Sequence, residues 1–181
     1  MKKGLLIIIS GPSGVGKGTV RQFIMNDPSL NLAFSVSCTT RAPRAGEVNG
    51  REYFFISKEE FEKYIKEERF LEHAYFCGNY YGTLIDFVDK LRNEGKNVIV
   101  EIETNGAKQI ISKLNGSGEI SIFIVPPSLE ELEKRIRGRK TETEDVIKQR
   151  MDKAKEELKL QSLYDFVIQN ICIFSGRKSN V

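Results

Sequence analysis

The densest chemistry in the chain lies in nine positions near its start, "GPSGVGKGT", from Gly11 to Thr19. Four glycines, one lysine and two hydroxyls occupy that span. Backbone N–H groups can converge on phosphate oxygens only where no side chain blocks the approach. A helix starting there adds unpaired N-terminal donors and the positive end of its dipole. Lys17 adds a mobile point charge for the outer phosphates. The spacing G-x-x-x-x-G-K therefore reads as a triphosphate cradle made by Gly11, Ser13, Gly14, Val15, Gly16, Lys17, Gly18 and Thr19. Gly18 stands where this pattern usually carries a magnesium-binding hydroxyl. Mg²⁺ is thus expected to be held by nucleotide phosphates and water, with no direct protein ligand.

A cradle of this kind needs a strand before it and a helix after it. The run Leu5 to Ile9 is apolar without alternation, as in a strand buried on both faces of a parallel sheet. "TVRQFIMND" follows and puts Val20, Phe23 and Ile24 on one helical face, with Pro28 as the stop. After residue 83 strands and helices alternate. Thr83 can cap a helix carrying Leu84, Phe87, Val88 and Leu91, ended by Gly95. "NVIVEI", "ISIFIV" and "FVI" read as strands and "GAKQIISKL" as a helix. Ser128 with Glu131 forms a capping box, and a later helix turns Val146, Met151, Ala154 and Leu158 inward. Alternating strands and helices predict an α/β fold with a parallel sheet covered on both faces.

The segment from Phe34 to Thr83 has a different character. "FSVSCTTRAPRAGEVNGREYFF" is polar and rich in turn residues. Ser57 and Glu60 open a short helix, and "FLEHAYF" and "YYG" flank Gly78-Asn79, a hairpin signal. This reads as a mixed α/β insertion.

Composition narrows the function classes. The chain has 181 residues, a net charge of +3 and 40% hydrophobic residues, which suits one globular domain and argues against a dedicated nucleic-acid binder. Three cysteines without a CxxC and a single histidine speak for reduced thiols rather than a disulfide frame or zinc site. The apolar run at the start is too short for a secretory signal, and no stretch approaches the ~20 apolar residues of a membrane span. A cytoplasmic location is expected, with no membrane partner.

Taken in order, "GPSGVGKGT", "SVSCTTRAPRAGEVNGREYFF", "FLEHAYFCGNYYGT", "VIVEIETNGA", "IFIVPPSLEELEKRIRGRKTETE" and "QRMDKAKEEL" closely resemble the guanylate kinase family. The resemblance runs from about Leu5 to Asn170. It implies ATP-dependent phosphorylation of GMP, with dGMP as a further acceptor, and Mg²⁺ as cofactor. It also implies a P-loop parallel core (1–33, 84–125 and 149–181), a GMP-binding insertion (34–83) and a helical lid (126–148). By resemblance Arg41, Arg44, Tyr53 and Tyr81 hold the monophosphate, while Ser37, Glu72, Thr83 and Glu103 read the base. Glu101 borders the GMP site and orients the water around magnesium. Lys17, Arg41, Arg135, Arg139 and Arg150 are the catalytic cations, and Asn170 meets the adenine of ATP. A monomer or homodimer is implied.

The chemistry agrees with that assignment. Guanine presents N1–H and N2–H₂ side by side, and one carboxylate such as Glu72 accepts from both. Adenine presents an acceptor at N1 and would leave the carboxylate unpaired. The chain departs from the family's usual pattern at Glu103, where Asp is usual, at Asn105, where Gln is usual, and in its tail after Asn170. At this point two other readings stay open: a nucleoside monophosphate kinase for another base, and a kinase-like module that binds phosphorylated protein segments. The intact Gly16-Lys17 and the arginines at 135, 139 and 150 argue against the second.

Overall fold

The apolar run near the start becomes β1 (Leu6–Ser10), the central strand of a five-stranded parallel sheet. The structure, a computed structural model, describes residues 2–114, 118–138 and 143–171. The sheet also contains β2 (Leu32–Phe34), β7 (Asn97–Glu101), β8 (Glu119–Val125) and β9 (Phe166–Gln169), in the order β2-β7-β1-β8-β9. Side chains alternate across it, as strand geometry requires. Leu6, Ile8, Val98, Val100 and Phe123 pack into one core with Val88 and Ile110. Ile9, Ile99 and Ile124 pack into a second core with Leu132, Ile136, Ile147 and Met151. Each such buried side chain contributes about 1.5–3 kcal/mol. Two full faces explain why β1 carries no polar alternation.

A second sheet, of four strands, is mixed. It is built from β3 (Cys38–Thr39), β4 (Phe54–Phe55), β5 (Phe70–Phe76) and β6 (Asn79–Leu84), in the order β4-β3-β6-β5. Helix α2 (Lys58–Lys66) covers it through Phe61, which stacks on Phe70 at 4.4 Å and on Tyr80 at 5.2 Å. The other helices are α1 (Lys17–Met25), α3 (Ile85–Asn93), α4 (Thr104–Leu114), α5 (Leu129–Arg137) and α6 (Glu144–Leu158). Ser57 and Ser128 cap α2 and α5 by accepting from the amides of Glu60 and Glu131.

Several local expectations need correction. The hairpin turn is Cys77-Gly78, one position earlier than the Gly78-Asn79 signal; both residues have positive φ, as a type I′ turn requires. Thr83 does not cap α3: β6 runs through Leu84, and the Thr83 hydroxyl turns to Glu72 instead. Phe23 is exposed, while Val20 and Ile24 face the core. On α6 the inward residue is Ile147, with Val146 exposed. Among the described residues, no helix is long and apolar enough to cross a membrane.

Candidate active site

The loop after β1 closes on backbone geometry. Gly11, Gly14 and Gly16 all have positive φ. Gly16 also has no room: a Cβ there would stand 2.5 Å from Asn170 Nδ2. Asn170 donates to the Val15 carbonyl at 2.9 Å, and Arg135 Nη1 donates to the same carbonyl at 3.2 Å. Arg135 Nη2 reaches the Asn170 carbonyl and Nε reaches Glu131. Two residues expected to meet nucleotide thus brace the loop carbonyl that precedes α1. With Val15 O held, the first amides of α1 open into a cavity lined by Ser13, Gly14, Gly16, Lys17, Gly18, Thr19, Gln22 and Glu101.

Lys17 folds back on its own loop. Its Nζ donates to the carbonyls of Gly11 and Pro12 at 2.6 and 3.1 Å. Burial lowers its pKa, against which Glu101, Glu157 and Glu103 pull the other way. Glu101 forms an ion pair with Arg21 at 2.9 Å, a charge contact without hydrogen-bond alignment. Arg21 in turn lies over the Phe34 ring at 4.1 Å. Arg150 Nη1 is 3.4 Å from Ser13 Oγ. Arg139 lies outside the described residues.

A second cavity, of ≈ 500 Å³, opens between the two sheets. Ser37, Tyr53, Glu72, Tyr81, Glu101 and Glu103 all line it, although they come from separate segments. Glu72 on β5 is 6% exposed. Burial raises its pKa above the usual carboxylate range, opposed by the Thr83 bond and the charge of Lys113. Thr83 Oγ1 donates to Glu72 Oε1 at 2.7 Å and sits 3.4 Å from Ser37 Oγ. The backbone of His73 is gripped by the Gln109 side-chain amide at both N–H and C=O, which fixes β5 against α4. Gly106, at the start of α4, leaves room for the carboxylate: a Cβ there would be 2.8 Å from Glu72 Oε2.

Toward the other end of the same sheet, Arg41 Nη2 lies 2.9 Å from each oxygen of Glu47, and the guanidinium sits 5.5 Å from the Tyr53 ring centre. Glu47 also accepts from the Arg44 amide at 2.7 Å. These bonds hold the Glu47 carboxyl below its usual range. Tyr53 and Tyr81 meet edge-on at 6.0 Å.

Sequence reasoning missed Glu47, Gly106, Lys153 and Glu157. Glu47 follows two arginines in "RAPRAGE", and their charge is a signal for a counter-ion. Nothing local marks the others. A glycine at a helix start or a glutamate on an amphipathic helix looks ordinary until another segment closes over it.

The guanylate kinase family model matches residues 3–173. The guanylate kinase of Bacillus anthracis is 53% identical over 169 residues, covering 93% of this chain and 82% of that relative. The guanylate kinase of Mesoplasma florum is 54% identical over 168 residues, covering 93% of this chain and 56% of that relative. The crystal structure of guanylate kinase from Anaplasma phagocytophilum aligns with a TM-score of 0.68 at 30% identity, covering 95% of this chain and 79% of that one. With a glycine loop whose cavity shares Glu101 with the one lined by the buried Glu72, and with relatives matched along nearly its whole length, the chain belongs to the guanylate kinase family.

Proposed function

We infer that this chain, an ATP:GMP phosphotransferase by its family, moves the γ-phosphoryl group directly from ATP to GMP, with no covalent enzyme intermediate. One observation carries the reading: Glu72, buried and hydrogen-bonded by Thr83, floors a cavity that shares Glu101 with the phosphate-loop cavity. A buried carboxylate beside two hydroxyls suits a purine edge with adjacent donors. Glu72 accepts from guanine N1–H and N2–H₂, while Thr83 and Ser37 steady it. Arg41, Arg44, Tyr53 and Tyr81 hold the monophosphate, with Arg41 exchanging Glu47 for phosphate oxygens of similar geometry. The acceptor is GMP or dGMP, since none of these contacts needs the ribose 2′-hydroxyl.

Lys17, Arg135, Arg139 and Arg150 stabilise charge on the moving phosphoryl group. Residues 34–83 act as the acceptor unit and 126–148 as a lid over the core. Their closure excludes water that would otherwise take the phosphoryl group.

The loop cavity fits Mg²⁺ in a particular way. Gly18 offers no side-chain oxygen, so Glu101 and Thr19 are the groups that would hold the hydrated ion beside the phosphates. When bound, the ion neutralises phosphate charge. Among the described residues no cluster of three acidic, histidine or cysteine side chains could replace the phosphates as its ligands.

The test is an assay of ADP release with GMP, dGMP, AMP and UMP as acceptors. GMP is expected to exceed AMP and UMP strongly in kcat/KM. Comparable use of AMP would sink the assignment of Glu72.

A further inference from the structure

Helix α6 carries a polar stripe that runs from its exposed flank to its buried face. Arg150, Lys153 and Glu157 are spaced by three and four residues and so share one face. Each reaches a different part of the site. Arg150 meets Ser13 on the phosphate loop. Lys153 Nζ donates to Glu103 Oε2 at 2.9 Å and stands 3.9 Å from Glu157 Oε1. Glu157 Oε1 accepts from Thr104 Oγ1 at 3.2 Å. One helix thus grips two consecutive residues, Glu103 and Thr104, where β7 gives way to α4.

The placement is not explained by stability. Glu157 is 6% exposed, and its Oε2 is buried without a hydrogen bond among the described residues. A buried carboxylate with an unsatisfied oxygen weakens a fold. A neutral amide would accept from Thr104 equally well. What the carboxylate adds is negative charge beside Lys153. Lys153 lines the acceptor cavity and also a smaller pocket of ≈ 220 Å³ shared with Gly11, Lys17 and Glu157. It stands where the two substrate sites adjoin.

We propose that Lys153 and Glu157 are positioning residues that clamp the 103–104 junction to α6, so that the wall of the acceptor cavity and the Arg150 side of the phosphate loop keep one register. This rests on the phosphotransferase reading above. Glu157 fixes Thr104 and attracts Lys153. Lys153 then holds Glu103 at the cavity wall. Neither residue needs to touch the reacting atoms.

Steady-state kinetics on the full chain test it, with thermal unfolding alongside. Lys153→Met is expected to raise KM for GMP about threefold to tenfold while KM for ATP stays within about twofold, the size of change expected from a part-exposed charge pair at a binding site. Lys153→Arg restores most of the loss, because the charge can still bridge. Glu157→Gln keeps shape and the Thr104 contact and shifts KM for GMP in the same direction. Thr104→Val removes that contact from the other side, should Glu157 variants fold poorly. The double variant Lys153→Met with Glu157→Gln does no more than the larger single change, as members of one unit should. An unchanged KM for GMP in both single variants overturns the clamp, as does a fall in Tm with untouched kinetics. Loss spread equally over both substrates, or effects that multiply, overturns it too. Absence of GMP-dependent turnover in the parent chain would instead overturn the phosphotransferase reading, and the clamp with it.

Discussion

On the function proposed above, the phosphate loop and the acceptor cavity solve recognition by opposite means. The loop is made of backbone. Its glycines, the Val15 carbonyl braced by Asn170 and Arg135, and the start of α1 lie within a short span, and one side chain, Lys17, supplies charge. The acceptor cavity is made of side chains from separate segments, joined by bonds such as Thr83 to Glu72 and Ser37 to Thr83. A phosphate is a diffuse anion that any ring of amides can hold. A base edge is a fixed pattern of donors and acceptors, and only buried, oriented side chains discriminate it.

The largest effect is expected at Lys17. Lys17→Ala is expected to leave the Tm near that of the parent and to lower kcat by about 10²–10³-fold, the usual effect of losing one oriented stabiliser of transition-state charge. A folded variant with near-normal kcat would show that the loop works by backbone alone.

Glu72→Gln addresses the other side. It replaces one acceptor oxygen with a donor, and a hydrogen bond to a charged group is worth about 1.5–3 kcal/mol. Hence kcat/KM for GMP should fall roughly tenfold to more than a hundredfold, with KM for ATP almost unchanged. Stability should move the opposite way. Burial holds the Glu72 carboxyl above its usual range, so the folded state takes up this proton before the unfolded state does. The ionised group therefore weakens the fold at neutral pH, and that penalty fades as pH falls through the folded-state value toward the ordinary one. The Tm of Glu72→Gln is expected to exceed the parent's at neutral pH, with the gap closing on acidification. A constant gap would mean that the carboxyl titrates normally.

Gly106→Ala sharpens the same point without touching the carboxylate. Its Cβ would fall 2.8 Å from Glu72 Oε2 and 3.3 Å from Cδ, so Glu72 must shift. KM for GMP should rise about tenfold, because small misplacements of a binding group are expensive. Unchanged acceptor kinetics would show that the cavity adapts.

The smallest effect belongs to Gly18→Ser in the loop. A Cβ there would sit 3.8 Å from Glu101 Oε1, an ordinary contact. Turnover should stay within about tenfold of the parent, with half-maximal rate at lower magnesium, as a new hydroxyl oxygen implies. An unchanged magnesium titration would show that Thr19 or a water already fills the place.

The sequence by itself determined the parts whose determinants are adjacent in the chain. The unbroken apolar run, the glycine spacing and the helix after it specify strand, cradle and helix, because their backbone geometry and hydrogen bonds are local. The two-residue hairpin and the serine caps at Ser57 and Ser128 were legible for the same reason, to within a residue. The family resemblance also grouped Ser37, Tyr53, Glu72, Tyr81 and Glu103, and these five line one cavity. The tertiary structure decided which charges matter and how. Glu72, Glu103 and Glu157 are the same residue type, yet Glu72 is sealed under Thr83 and Gly106, Glu103 reaches Lys153, and Glu157 is buried against Thr104. Those partners lie 11, 34, 50 and 53 residues away along the chain. Burial and pairing set a carboxylate's charge state and its reach, and both arise only when distant segments pack together.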